Sequence, residues 1–219
     1  MIRSVGGFAV AAAIALSGIA EARQYATWNP NDAHRDVILT ENKLTASRAI
    51  SSTPWVSFRA TVRMVSGAWY WETTHYHTAW ADPVVGIARP SFDLNGGPGF
   101  DVTVLSIGGP VENGDCYIAD SVRVNAGSVY DGSVVRHWFD ADHGIYRVAV
   151  DAGPWVTVAA NLITGTGWYP VGGLWRPEGT SVSVRANFGQ FAFMYDVPAG
   201  AHPGVFRDDE VLFQDGFDS

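Results

Sequence analysis

Cysteine is all but missing from this 219-residue chain. Cys116 stands alone, so no intramolecular disulfide can form and the fold must rest on its core. Lysine is equally scarce, with Lys43 beside thirteen arginines, and the formal net charge is −8. No basic stripe exists to neutralise phosphates, which excludes nucleic acid as a partner. Beyond residue 22, no window of a dozen residues keeps a capped 3.6-residue apolar period, so no helices are expected. Nor does that part of the chain hold an apolar run long enough for a membrane span.

The one long apolar run lies at the start. Arg3 supplies a positive charge, Val5–Ala20 carries no charge, and Ala20-Glu21-Ala22 fits the small-x-small pattern before a cleavage site. The run is short and rich in Gly and Ala for a membrane helix. Met1–Ala22 therefore reads as a signal peptide cut after Ala22, and the expectation is a secreted or periplasmic protein. Cys116 is too far from that signal to be a lipidated N-terminal cysteine. With no base beside it, it reads as a half-buried small residue before a strand. Asp208, Asp209, Glu210, Asp215 and Asp218 crowd the other end. The sequence thus divides into a signal (1–22), a body (23–204) and an acidic tail (205–219). The ending Val211–Ser219 resembles short Asp-Gly-Phe-acidic endings on some bacterial exported proteins, with a solvated tail as the default reading.

Apolar residues make up 47% of the chain and aromatics 13%, enough for a large core. Short segments recur between Gly, Pro, Asn and Asp clusters. In Ser57–Met64, Phe58, Ala60, Val62 and Met64 share one face, with Arg59, Thr61 and Arg63 on the other. Further strands are expected at Ala68–Thr73, Val84–Ala88, Asp101–Ile107, Ser121–Val124, Val134–Phe139, Ile145–Asp151, Trp155–Ala159, Trp168–Val171 and Ser181–Phe188. Asp151-Ala152-Gly153-Pro154 reads as a hairpin connection. The Gly-rich stretches Ser91–Gly99 and Gly108–Asp115 read as edge loops. Many short strands without helices imply an all-β, two-sheet antiparallel β-sandwich.

Six landmarks then fall in order: Ala26-Thr27-Trp28-Asn29-Pro30; Val56–Val62 with Arg59-Ala60; Gly67-Ala68-Trp69-Tyr70-Trp71-Glu72; Val85-Gly86-Ile87-Ala88; Trp168-Tyr169-Pro170-Val171; and Asn187-Phe188-Gly189-Gln190, followed by Pro198 and Gly200. Tyr146–Asp151 adds a strand ending in Asp. Together they resemble the SPRY domains of bacterial and phage proteins over about residues 24–204. The chain departs from that pattern where Asn161 is followed by Leu162 rather than Gly, and where Trp138–Gly144 is longer. The resemblance implies a concanavalin A-like SPRY jelly roll that binds a protein partner through loop surfaces. It implies no cofactor and no catalytic residues.

Chemistry-bearing groups are sparse. Glu41, Glu72, Glu112 and Glu178 lie far apart, and no Glu-x-Asp-x-Glu strand places an acid and a nucleophile together. Glu72 is read as structural. His75 and His77 share a strand face at a spacing compatible with a metal, and Asp140, Asp142 and His143 are the only further ligands in view; an Asx turn explains those three equally well. No Gly-x-Ser-x-Gly exists, and Gly96–Gly99 lacks the Lys and helix of a phosphate loop. Of nine tryptophans, Trp28, Trp69, Trp71, Trp155 and Trp168 read as core. The loop candidates for binding are Trp55, Trp80, Trp138 and Trp175, joined by His75 and His77. Exposed aromatics anchor protein partners and also stack on sugars. The favoured reading is an exported, non-enzymatic protein-binding module; a carbohydrate-binding sandwich is the alternative, and a divergent glycan hydrolase the third.

Overall fold

The structure is a computed structural model that describes residues 23–48, 54–78, 81–100, 105–177 and 180–207. The expected signal peptide, Trp80, Glu178 and residues 208–219 lie outside the described residues. Seventeen strands and no helix are found among the described residues. They are β1 Gln24–Tyr25, β2 Trp28–Ala33, β3 Val37–Thr40, β4 Thr45–Arg48, β5 Trp55–Ala60 and β6 Ala68–His77. Next come β7 Asp82–Ala88, β8 Ser106–Gly108, β9 Asp115–Ile118, β10 Ser121–Asn125, β11 Val134–Asp140 and β12 Ile145–Val150. The last are β13 Val156–Ala159, β14 Tyr169–Trp175, β15 Val182–Asn187, β16 His202–Pro203 and β17 Phe206–Arg207.

One sheet has the order β10-β9-β8-β7-β14-β5-β2, the other β13-β12-β11-β6-β15-β4-β3 with β16 beside β6, and β1 pairs with β17. Every described pairing is antiparallel except β16 with β6. The inward faces of the two large sheets share one core. Val56, Phe58, Val85 and Ile87 from one sheet meet Trp71, Val135, Phe139 and Val184 from the other. Trp28 lies edge-on to both Phe58 (4.8 Å) and Phe188 (5.0 Å), and its Nε1–H donates to the Leu44 carbonyl. Truncating one such fully buried aromatic costs roughly 3–5 kcal/mol.

The Asn187–Gln190 turn has a local chemical cause. The Asn187 side-chain oxygen accepts the Gly189 N–H, while that of Gln190 accepts the Phe188 N–H. Gln190 Nε2 also donates to the Ala26 carbonyl, tying the last large strand to the first residues of the body. Gly189 has φ 111°, and a Cβ there would come 2.3 Å from the Tyr25 ring, so glycine is required twice over.

Some boundaries differ from the sequence expectation. β5 stops at Ala60, and Met64 joins Trp168 only as an isolated bridge. Val62 and Met64 nonetheless stay buried on the expected face. β8 begins at Ser106, with residues 101–104 of the expected strand outside the described residues. Cys116 is fully buried inside β9 rather than half-buried before a strand. Burial, with the Asp115 charge adding to it, pushes its thiol up to about 12. Past residue 204, Val205 and Phe206 are buried and β17 pairs with β1, so ordered packing continues through Arg207. Apolar burial at two residues outweighs the acidic composition that starts at Asp208.

The outer face of the eight-stranded sheet is partly covered. Arg136 from β11 lies between Trp155 (5.0 Å) and Tyr195 (4.8 Å), and Phe193 packs edge-on against Tyr70. Segment 193–195 thus forms a flap over β6 and β11.

Candidate binding cleft

The two sheets differ in what lies on their outer faces. On the seven-stranded one, segment 89–100 crosses β5, β14 and β7. Arg59 and Ser57 point outward from β5 and hold it. Arg59 makes a double ion pair with Asp32 at 2.7 Å, and its Nη1 donates to the carbonyls of Arg89 and Phe92. Ser57 N–H donates to Leu94 O, and its hydroxyl to Gly96 O. Phe92 closes a small second core with Ala88 and Val171. Arg59 is only 7% exposed, because the loop rather than water lies over it.

Where this loop ends, a row of side chains begins. Antiparallel register places Trp55 opposite Trp175, and Trp175 opposite Asp82. Directly paired residues share a face about 5 Å apart, so β5, β14 and β7 present Trp-Trp-Asp side by side. The glycines make room for it. A Cβ on Gly97 would come 2.7 Å from the Trp55 ring, and one on Gly173 would come 2.3 Å from Pro98. Segment 97–98 therefore lies flush on the sheet and braces Trp55. Phe100 follows at 5.0 Å from Trp55, and Tyr117 stacks on Phe100 at 4.6 Å.

Val111, Glu112 and Asn113 from the β8–β9 loop and Ser128 and Tyr130 from the β10–β11 loop form the opposite wall. They enclose a cleft of about 660 Å³ with Trp55, Asp82, Phe100, Tyr117 and Trp175. That size and aromatic lining suit a bound side chain or small ligand. Tyr130 is 69% exposed and stands at the mouth. The field inside is negative. Burial raises the Asp82 carboxyl; the Glu112 N–H opposes this, the neighbouring Glu112 charge adds to it, and His77 pulls weakly the other way. Burial likewise raises the Tyr117 hydroxyl, with Asp115, Asp82 and Asp120 adding to it.

Of the sequence candidates, Trp55 and Trp175 meet in this cleft, both half-buried. Trp138 lies on the outer face of the other sheet, with Arg147 4.9 Å over its ring. Trp80 lies outside the described residues. His77 lines a separate polar hollow with Arg176 and Asp131, and its backbone N–H donates to Asp131. His75 is fully buried between the sheets. There Thr73 Oγ1 lies 3.0 Å from His75 Nε2 and 2.9 Å from His137 Nε2, and His137 Nδ1 lies 2.8 Å from the Tyr146 hydroxyl. Burial holds His75 down at about 3 and His137 well below its ordinary value, so both rings are neutral. His137 also stacks on Trp71 at 4.9 Å, making this chain part of the core.

Asp140 and His143 are paired at 2.8 Å in an Asx turn at the other end of β6 and β11 from His75 and His77. No group of three potential metal ligands converges among the described residues. Asp82, Glu112, Phe100, Tyr117 and Tyr130 went unselected in the sequence. The available signal was strand phase: with Val85 and Ile87 inward, Asp82 must face outward. Loop residues such as Tyr130 carry no such phase.

Neither a family model nor a curated protein matches this chain. Solved structures do. The SPRY domain of human HERC1 superposes with a TM-score of 0.62 at 14% identity, over 75% of this chain and 99% of that one. The TRIM65 PSpry domain gives 0.55 at 14%, over 75% and 92%. A human SPRY domain gives 0.56 at 14%, over 70% and 95%. The two-sheet antiparallel architecture, the ordered landmarks from Trp28 to Gly200 and these likenesses agree, and the chain has the SPRY-domain fold.

Proposed function

We propose that this chain is an exported, non-enzymatic recognition module that binds a protein partner through the Trp55–Trp175–Asp82 cleft. One observation carries the reading: the strand register aligns two tryptophans and a carboxylate on an outer face, at the edge of a loop built to leave them uncovered. Half-buried aromatics around a central pocket are what binding hot spots are made of. Neighbouring structures titled SPRY domains support a binding role over a catalytic one. Glu72, the strongest carboxylate for a hydrolase, is 5% exposed and engaged by three hydrogen bonds, which supports a structural role. The sequence of Met1–Ala22 supports export to the periplasm or beyond.

The test is a random-peptide display and a glycan array, each run on the mature chain and on Trp175→Ala. Peptide binding lost in Trp175→Ala supports the reading. Saturable sugar binding lost in the same variant transfers the cleft to carbohydrate.

A further inference from the structure

Taking this cleft as the recognition site, we infer that the group it accepts from the partner protein is a cationic side chain, foremost arginine. Charge complementarity is the first argument. Asp82 and Glu112 sit together, with the Glu112 N–H directed at Asp82 Oδ1 (3.4 Å). Among the described residues no lysine or arginine lines the cleft. Two neighbouring carboxylates, one of them half-buried, thus have no lysine or arginine beside them in the cleft and only the weak pull of His77 on Asp82, while Asp115 and Asp120 add to the negative field at Tyr117. An acidic peptide would be repelled. A neutral sugar would stack on the rings but leave the carboxylates unneutralised.

The second argument comes from how this chain treats its other outward tryptophans. Trp138 is covered by Arg147 at 4.9 Å and Trp155 by Arg136 at 5.0 Å. Each ring on that face has a guanidinium supplied in cis. Among the described residues Trp55 and Trp175 have none, yet they are the ones with a carboxylate alongside. An arginine from a partner would lay its planar guanidinium on the indole and direct its N–H fork at Asp82. Lysine fits the charge but supplies neither the plane nor the fork, so arginine is preferred.

The experiment uses peptides selected by display on the mature chain for binding that Trp175→Ala abolishes. Each Arg or Lys in them is replaced by citrulline or Gln, and affinities are measured for the wild type and for Asp82→Asn/Glu112→Gln. The expected result is enrichment of Arg, and an affinity loss of roughly tenfold or more on removing either the peptide cation or the two carboxylates. Removing both should cost little beyond removing one, the mark of a direct pair. Cleft-dependent peptides without Arg or Lys, or losses that simply add, overturn the inference and leave the recognition reading intact. Absence of any Trp175-dependent peptide, or cleft-dependent sugar binding, overturns both. Circular dichroism of the double variant confirms that it folds.

Discussion

Glu72 reaches from β6 to the backbone of Tyr195, its Oε1 accepting that N–H at 2.9 Å. The same oxygen accepts the Tyr70 hydroxyl at 2.6 Å, and Oε2 accepts the Met194 N–H at 2.9 Å. A single buried carboxylate thus fastens flap 193–195, and the burial of Tyr70, with the Glu72 hydrogen bond and charge adding to it, pushes the Tyr70 hydroxyl up. Glu72→Ala strands these three donors and is expected to cost about 3 kcal/mol, or roughly 6–12 °C in Tm. Glu72→Gln keeps both a side-chain oxygen and the shape, and should cost about half as much. Thermal melts measure both. Peptide binding in the cleft, on the opposite sheet, should be unchanged.

Arg59 makes a different kind of connection, from β5 to Asp32 and to two carbonyls of the loop beside the cleft. Lysine cannot bridge a carboxylate and two carbonyls in one plane. Arg59→Lys should therefore lower stability by about 2 kcal/mol and loosen segment 89–100, which braces Trp55. Hydrogen exchange should speed up at the Ser57 and Phe92 amides, and cleft affinity should fall although Arg59 touches no ligand. Unchanged exchange at those amides would show that the loop is held by Ser57 and its apolar contacts without Arg59.

Much of the scaffold was legible because strand phase is written in alternation. Phe58, Ala60, Val62 and Met64 all face inward as their spacing requires. The Asn187–Gln190 landmark was visible as a sequence, and its cause is local hydrogen bonding. The cleft was half legible. Trp55 and Trp175 stood out as large aromatics expected on loops, whereas they lie at the ends of β5 and β14; only register between those strands shows that they are neighbours, and 120 residues separate them in the chain. Arg59 reads as a polar-face residue; that the outer face is itself covered depends on where segment 89–100 lands, which alternation does not encode.

The histidines inside the sandwich predict an acid limb. Burial lowers both His75 (to about 3) and His137 in the folded chain, below the ordinary value near 6.5 that an unfolded chain shows. The unfolded state therefore binds more protons below pH 6.5. Stability is fully present above that pH and is lost as pH falls toward 3. Each ring contributes a slope of about 1.4 kcal/mol per pH unit in that window. Denaturant titrations of the wild type and of His137→Phe between pH 4 and 7 should differ in slope by about one such increment. Equal slopes would place the acid sensitivity elsewhere.

Asp82 works in the opposite sense. Its carboxyl is raised on folding by burial, with the Glu112 charge adding to this and the Glu112 N–H opposing it, so its ionised form destabilises the folded chain at neutral pH. That penalty is relieved as pH falls through the raised folded value. Asp82→Asn keeps an oxygen for the Glu112 N–H and removes the charge. It should raise Tm at pH 7 by on the order of a degree or two, with the gain vanishing in acid. The same substitution should weaken arginine-peptide binding, as should lowering the pH on the wild type, because protonation discharges the carboxylate. A site residue that costs stability while empty is the pattern of a group retained for binding. An Asp82→Asn variant less stable than wild type at neutral pH would instead make Asp82 part of the scaffold.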